Sequence, residues 1–202
     1  TTLFRSLYYL NIAQGFRSGA ANAGTSLLTG ALSGIPIDPF ADEEDLISYE
    51  VGGKITLAES GWAIEAAAYY LDWQDVITLL GVISPITNTP INFSENAGDV
   101  EGIGAEINLV YQGSEGLMLQ FGGNVNQTEY QQDLPGAGIE SGDQVAFAPE
   151  VTWSASASYN WDIGSSGLRG MAFFAAQHVD ERADYALGFP TVSSESVTLA
   201  QA

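Results

Sequence analysis

The sequence predicts an all-β protein whose antiparallel, up-and-down strands form part of a transmembrane β-barrel. Apolar and polar residues alternate over long stretches, and short and long connections alternate between those stretches. No stretch has the roughly 18 uncharged apolar residues of a transmembrane helix. An eighth strand is expected to begin near Val192. The first seven predicted strands are Phe4–Arg17, Leu46–Leu57, Trp62–Trp73, Asn96–Tyr111, Leu117–Tyr130, Gln144–Trp161 and Leu168–Glu181.

Each predicted strand has one apolar face and one polar face. In the third strand, Trp62, Ile64 and Tyr70 share the face opposite Glu65, because successive side chains point to opposite sides of a sheet. Each apolar face runs for roughly 9–11 residues, the length that a tilted strand needs to cross a bilayer. Aromatic residues near the strand ends predict girdles at the two membrane–water interfaces. These residues are Trp62, Tyr70, Trp73, Tyr111, Tyr130, Trp153 and Trp161.

The connections distinguish a membrane barrel from a soluble antiparallel sandwich, in which apolar and polar residues also alternate. The short connections, Ala58–Gly61, Gln112–Gly116 and Ile163–Gly167, are rich in Gly and Ser, as tight turns require. Outer-membrane barrels have short periplasmic turns and long extracellular loops, whereas a sandwich has no reason to separate loop lengths in this way. The pattern therefore favours a barrel wall. The long connections are Ser18–Asp45, Gln74–Glu95, Gln131–Asp143 and Arg182–Thr191.

The charge balance is strongly acidic, with a formal charge of −20 and only five basic residues. None of the five lies on an apolar face, where a cation at mid-bilayer would cost about 2–4 kcal/mol. Nucleic acid is not an expected partner, because its phosphates require Lys and Arg. Acidic residues in the long connections either keep those loops solvated or concentrate cations, divalent ions included, at a barrel mouth. They are Asp38, Asp42, Glu43, Glu44, Asp45, Asp133, Glu140 and Asp143.

The sequence offers neither catalytic residues nor a metal or cofactor site. Cysteine is absent and His178 is the only histidine, which leaves no basis for a Ser or Cys triad. Zinc normally takes three or four protein ligands, so we interpret His178 as an interfacial side chain. The acidic run Asp42–Glu50 lacks the spacing and central glycine of an EF-hand loop. Glu101 and Glu106 lie on opposite faces of one strand. An enzyme is not predicted.

Five segments, taken in order, resemble the TonB-dependent outer-membrane receptors, and the resemblance covers nearly the whole chain. In that family a barrel of about 22 strands encloses an N-terminal plug domain. The resemblance implies import of a scarce ligand, most often an iron–siderophore complex, with energy from the TonB system. The segments are Gln14–Gly19 (QGFRSG), Ser48–Lys54 (SYEVGGK), Ala66–Val76 (AAAYYLDWQDV), Asn96–Glu106 (NAGDVEGIGAE) and Phe147–Tyr159 (FAPEVTWSASASY).

The resemblance also implies how residues 1–202 relate to a whole receptor. They are expected to form about seven or eight strands from the later part of a barrel in a Gram-negative-type outer membrane. The plug domain, the TonB-contacting box and the terminal strands are expected to lie outside this chain. The implied partners are outer-membrane lipid, a small-molecule ligand such as a ferric siderophore, the plug and, through the N-terminal region, the TonB complex.

The polar face is expected to line the lumen. Five of its residues near the outer mouth are candidates to bind the ligand, although the same side chains also suit contacts with the plug or with water. Two other functions stay open: a passive porin or fatty-acid channel, and a secreted β-rich adhesion or carbohydrate-binding module. The five candidates are Arg17, Glu50, Asn124, Asn126 and Gln177.

Overall fold

The computed structural model describes residues 4–96, 98–134, 138–146, 148–165, 167–184 and 192–201. Strands dominate the fold, and the one helix among these residues, α1, lies within the first long connection. No helix in the described ranges is long and apolar enough to cross a membrane. The elements are β1 Phe4–Arg17, β2 Ala20–Ala21, α1 Gly24–Ser33, β3 Phe40–Ala41, β4 Glu44–Leu57, β5 Trp62–Gln74, β6 Ile77–Ile83, β7 Pro90–Asn96, β8 Val100–Gln112, β9 Leu117–Tyr130, β10 Val151–Asp162, β11 Arg169–Val179, β12 Arg182–Asp184, β13 Val192–Ser194 and β14 Val197–Gln201.

Eight strands form one antiparallel sheet in the order β1-β4-β5-β8-β9-β10-β11-β14. Within this sheet, each strand pairs with the sheet strand that follows it in sequence, which confirms the predicted all-β, up-and-down arrangement. The register keeps the apolar face continuous, because apolar residues lie opposite apolar residues from strand to strand. One such row runs Leu10, Val51, Ala68, Ala105, Val125 and Val151.

The apolar face of this sheet is uncovered. Ile103, on β8, is 60% exposed, and Leu10 and Phe174 at opposite sides of the sheet are also exposed. A soluble sandwich would bury this face beneath a second sheet, and no second layer lies on it in the part of the chain that the structure describes. The sandwich alternative is therefore wrong for this fold.

Two aromatic belts border the apolar face. At the turn end, the Trp62 and Tyr111 ring centroids lie 4.9 Å apart and the Tyr159 and Trp161 rings stack. At the loop end, Tyr70 lies 6.3 Å from Tyr49, and Trp153 stacks on His178. Trp62 to Tyr70 and Trp153 to Trp161 each span about nine residues, the expected length of a membrane-crossing strand. The girdle prediction is confirmed for Trp62, Tyr70, Tyr111, Trp153 and Trp161.

Trp73 and Tyr130 are not girdle residues, and their prediction was wrong. Trp73 and Tyr130 both pair with Val100, on either side of it. All three residues lie at the alternate positions that point to the polar face. Tyr130 is only 4% exposed and packs with Val76, Val100 and Ile139, against which Trp73 also lies. The cause is tertiary: the long connections fold back over this end of the polar face and bury it.

The long connections contain structure that the alternating pattern did not predict. The fourth strand of the sheet starts at Val100, not Asn96, because Asn96 ends the β6–β7 hairpin. The sixth starts at Val151, not Gln144, which forms an isolated bridge to Glu129 outside the sheet strands. Val192 lies in β13, which pairs with β12, and the eighth strand of the sheet begins at Val197. Ala97, Phe147 and most of the Arg182–Thr191 connection lie outside the described residues.

Two short turns interlock with the neighbouring strand through a glycine. The Gly61 carbonyl accepts a hydrogen bond from Gln112 N, and the Gly116 carbonyl accepts one from Asn160 N. Gly116 has a φ of 82°, and a Cβ there would lie 2.2 Å from the Asn160 carbonyl oxygen. This close approach fixes the turn to the strand beside it.

Gly116→Ala is expected to destabilise the folded wall by at least about 2 kcal/mol, because left-handed backbone costs an L-residue about 1–2 kcal/mol and the new Cβ would also collide with the Asn160 carbonyl oxygen. Urea unfolding of the whole protein in detergent provides the measurement. Gly164→Ala is the matched control, because Gly164 also has positive φ but its Cβ would meet nothing within 4 Å. Equal losses in the two variants would mean that the interlock adds nothing.

Candidate functional site: the polar face and the loop end

The polar face divides into a charged half and a neutral half. On β4, β5 and β8 it carries Glu50, Lys54, Glu65 and Glu106, whereas the middle of β9, β10 and β11 carries only uncharged side chains. Lys54 and Glu65 form an exposed ion pair at 3.0 Å. Within the described ranges, Glu50 and Glu106 have no such cationic partner. The charged half therefore presents two carboxylates that are available to a cation.

Two tyrosines lie over glycines on this face. A Cβ at Gly104 would fall 2.3 Å from the Tyr69 ring, and one at Gly52 would fall 2.4 Å from the Tyr9 ring. The glycines leave the space into which the rings fold. Tyr9 is a neighbour of Glu50 on this face, since Asn11, two residues on, is paired with Glu50, so this packing brings the Tyr9 ring beside the carboxylate.

The Tyr69 hydroxyl donates to Asn126 Oδ1 at 3.5 Å, and Thr128 Oγ1 donates to the same oxygen at 2.7 Å. Asn126 Oδ1 is therefore already occupied, which leaves its amide nitrogen for other partners. Glu50 and Asn126 lie in one row of the sheet with three strand spacings between them. That distance is about 14 Å at roughly 4.8 Å per strand.

Asn124 and Gln177 line one groove of about 350 Å³ on the polar face, together with Asn108, Thr152 and Glu106. The groove crosses β8 to β11 and is open to the interior side of the sheet. Amides and hydroxyls both donate and accept hydrogen bonds. The uncharged side chains of the groove can therefore bind a polar group or an exposed peptide backbone, and Glu106 adds a negative charge at its β8 edge.

Arg17 lies apart from the other candidates, at the rim. Its guanidinium donates to Glu44 Oε2 at 2.6 Å and to the Ile77 carbonyl oxygen at 3.0 Å. The same Glu44 oxygen accepts from Ile77 N at 2.7 Å, and the Glu44 side chain is only 5% exposed. Arg17 thus joins β1, β4 and β6.

All five predicted candidates fall on the polar face, but they form no single cluster. Asn124 and Gln177 come together, Glu50 and Asn126 share a row, and Arg17 is at the rim in an ion pair. Ligand contact stays a prediction for each of them. Among the described residues, no group of three or more Asp, Glu or His side chains has a metal-binding arrangement.

Sequence reasoning missed four residues of this face. Glu106 was recognised as polar-facing but not proposed for the site, although its parity matches that of Asn124. Tyr9 and Tyr69 depend on which residue lies opposite each of them, and the alternation does not fix that register. Glu44 lies in an acidic run, and nothing in the neighbouring sequence indicates which of these carboxylates is buried.

The exposed apolar face between two aromatic belts, with a polar face behind it, defines the wall of a transmembrane β-barrel. The polar and apolar faces give that wall an inside and an outside, and the long loops and short turns distinguish its two ends. The chain belongs to the TonB-dependent receptor-like β-barrel family, whose profile matches residues 3–199. Barrels of this family are outer-membrane proteins.

Relatives of the chain are receptors. It is 26% identical over 141 residues to the pesticin receptor of Yersinia enterocolitica, covering 70% of this chain and 18% of that protein. It is similar in fold to the ferric yersiniabactin uptake receptor FyuA of Yersinia pestis, with a TM-score of 0.67, 18% identity, 99% of this chain and 27% of that one. The ferric preacinetobactin receptor BauA of Acinetobacter baumannii gives a TM-score of 0.61 with 15% identity, over 96% of this chain and 26% of that one. The chain thus spans about a quarter or less of the length of these proteins.

Proposed function

We propose that the chain forms part of the wall of a TonB-coupled receptor that imports a scarce ligand, with an iron–siderophore complex as the ligand class. The observation that carries this proposal is the pair of polar-face carboxylates, Glu50 and Glu106, that have no cationic partner among the residues the structure describes. In a passive channel such groups stay in water. Inside a plugged barrel they lose water, and cations of the plug would compensate them. The solved relatives are named as receptors of ferric complexes, which supports iron as the cargo.

The barrel wall needs further strands outside this chain. Within the described residues, β1 and β14 each pair on one side only, and open strand edges leave backbone groups unsatisfied in lipid. We place residues 1–202 as one sector of a larger barrel, whose plug and remaining strands close the structure. Residues on the polar face then contact either the plug or the ligand as it passes, which is binding and gating, not chemistry on a bond.

Uptake of radioactive iron by the whole receptor tests the function. The receptor is produced in a host that lacks its own ferric receptors, and ⁵⁵Fe is supplied as ferric citrate, a ferric trihydroxamate or a ferric triscatecholate. Saturable uptake of one chelate that disappears when TonB is deleted is the expected result. Uptake that is unsaturable and indifferent to TonB would identify a passive channel instead.

Glu50→Gln and Glu106→Gln are expected to loosen the plug. Loss of one charge-assisted hydrogen bond is worth about 1.5–3 kcal/mol, so energised uptake should fall by roughly tenfold or more. Cells should also become sensitive to an antibiotic too large for porins. Glu65→Gln is the matched control, because Glu65 is already paired with Lys54 in an exposed ion pair worth about 0–1 kcal/mol. Unchanged uptake and unchanged sensitivity in the first two variants would contradict a role in holding the plug.

A further inference from the structure

The described parts of three long connections, residues 18–43, 75–96 with 98–99, and 131–134 with 138–146 and 148–150, are joined in series at the loop end, and we name them together the loop cap. We propose that the loop cap is preassembled: the ligand meets a finished surface, and the three connections stay together during capture. This inference deepens the proposed function and rests on it for the ligand. The preassembly itself is a property of the free receptor.

The first connection is joined to the edge of the β6–β7 hairpin. Asn22 Nδ2 donates to the Ser94 carbonyl oxygen at 2.9 Å, and Ser94 N donates back to Asn22 Oδ1 at 2.7 Å. The Asn22 amide thus pairs with the backbone of Ser94 as a further strand would. Ser26 Oγ adds a hydrogen bond to the Asn92 carbonyl oxygen at 2.8 Å. The edge of β7 is therefore occupied by the first connection.

Each end of the same hairpin is also hydrogen-bonded to the first connection. Asn96 Nδ2 donates to the carbonyl oxygens of Asp42 and Asp75, and Asp42 N donates to Asn96 Oδ1 at 2.8 Å. At the other end, the Ser33 and Ser84 hydroxyl oxygens lie 2.7 Å apart, and Ser84 is fully buried. Separation of the two connections would break the Asn96–Asp42 hydrogen bonds and remove the Ser33 partner of the buried Ser84 hydroxyl, each at the net cost of a lost hydrogen bond.

The second and third connections are joined by Asp99 and Gln132. Asp99 N donates to Gln132 Oε1 at 3.0 Å, and Gln132 Nε2 donates to Asp99 Oδ2 at 3.0 Å. Beneath this pair lies the cluster of Val76, Val100, Tyr130 and Ile139, each nearly or fully inaccessible to solvent.

The cap is also fixed to the wall through the hydrogen bonds among Arg17, Glu44 and Ile77 described above. Its joints therefore run continuously from the rim of the sheet through all three connections. A ligand shifts a conformational equilibrium only by its differential affinity for the two states. A ligand that binds the assembled cap without changing these joints therefore gives no driving force for the connections to separate.

Hydrogen exchange in the whole receptor, without ligand, tests preassembly directly. The amides of Asp42, Ser94 and Asp99 donate across the joints. We expect each to exchange at least 100-fold more slowly than in an unstructured peptide, at rates within tenfold of one another, because a single body opens as a unit. Near-random-coil exchange at any of the three, with β4 still protected, would overturn the proposal.

A disulfide lock tests whether the connections part during capture. The chain has no cysteine, and the short distance between the Ser33 and Ser84 hydroxyls suits a disulfide in the double variant Ser33→Cys/Ser84→Cys. The oxidised receptor should take up ⁵⁵Fe from the transported chelate within twofold of its reduced form, with Ser33→Cys alone as the control. A tenfold loss on oxidation that a reductant restores would overturn the proposal. If the unmodified receptor transports none of the three chelates, the iron function fails, while hydrogen exchange still decides preassembly.

Discussion

Ala157→Arg is expected to prevent assembly of the barrel. Ala157 lies on the apolar face of β10, halfway between Trp153 and Trp161 of the two aromatic belts, and is flanked by the exposed residues Leu119 and Phe174. An arginine at this depth faces the middle of the bilayer, at a cost of about 2–4 kcal/mol. That cost lowers the ratio of inserted to uninserted protein by about 30-fold to nearly 1,000-fold.

Ser156→Arg, one residue away, provides the matched control. The Ser156 side chain is on the polar face, where its hydroxyl lies 3.4 Å from Gln120 Oε1. A cation there points into the lumen and should be tolerated far better. Heat-modifiable electrophoretic migration of the whole receptor measures the folded fraction of both variants. Equal losses would contradict the assignment of the two faces.

The sheet was predictable because its physics is local. Alternation with a period of two identified the first seven strands of the eight-stranded sheet, and loop length separated the two ends of the wall. Strand ends were less certain, as Gln144 shows: the polar–apolar pattern continues through it, yet the strand starts at Val151. Pairing in a ladder, not the pattern within one segment, decides where a strand begins.

The candidate site was only partly predictable because it depends on long-range register. Parity alone placed Glu50, Asn124 and Gln177 on the polar face. It could not show that Tyr69 folds over Gly104, since those residues are far apart in sequence and meet through strand pairing. The prediction that Tyr130 is a girdle residue failed for a similar reason. A tyrosine at a strand end suits a girdle until a loop is found to cover it.

The wall and the loop cap are stabilised by different interactions. Lipid and continuous backbone ladders stabilise the wall, which has no second layer among the described residues. The loop cap is instead held by a small water-excluding cluster, the cap core, in which Val76 and Ile139 of the cap pack against Val100 and Tyr130 at the end of the wall. A mutation on the cap side of this core should therefore open the cap and need not prevent insertion of the wall.

Ile139→Ala tests this separation and is expected to open the loop cap while leaving the wall folded. Ile139 is 1% exposed within the cap core, and Ile→Ala at a buried site costs about 2–5 kcal/mol. A loss near the middle of that range raises the open population of the cap by about 100-fold or more. Cleavage of the cap by protease on intact cells should accelerate in proportion when opening is fast relative to cleavage, with unchanged heat-modifiable migration of the barrel.

Ile86→Ala is the matched control in the same cap, because Ile86 is 66% exposed and its truncation should cost under about 0.5 kcal/mol. Similar cleavage rates in the two variants would mean that this core does not hold the cap closed.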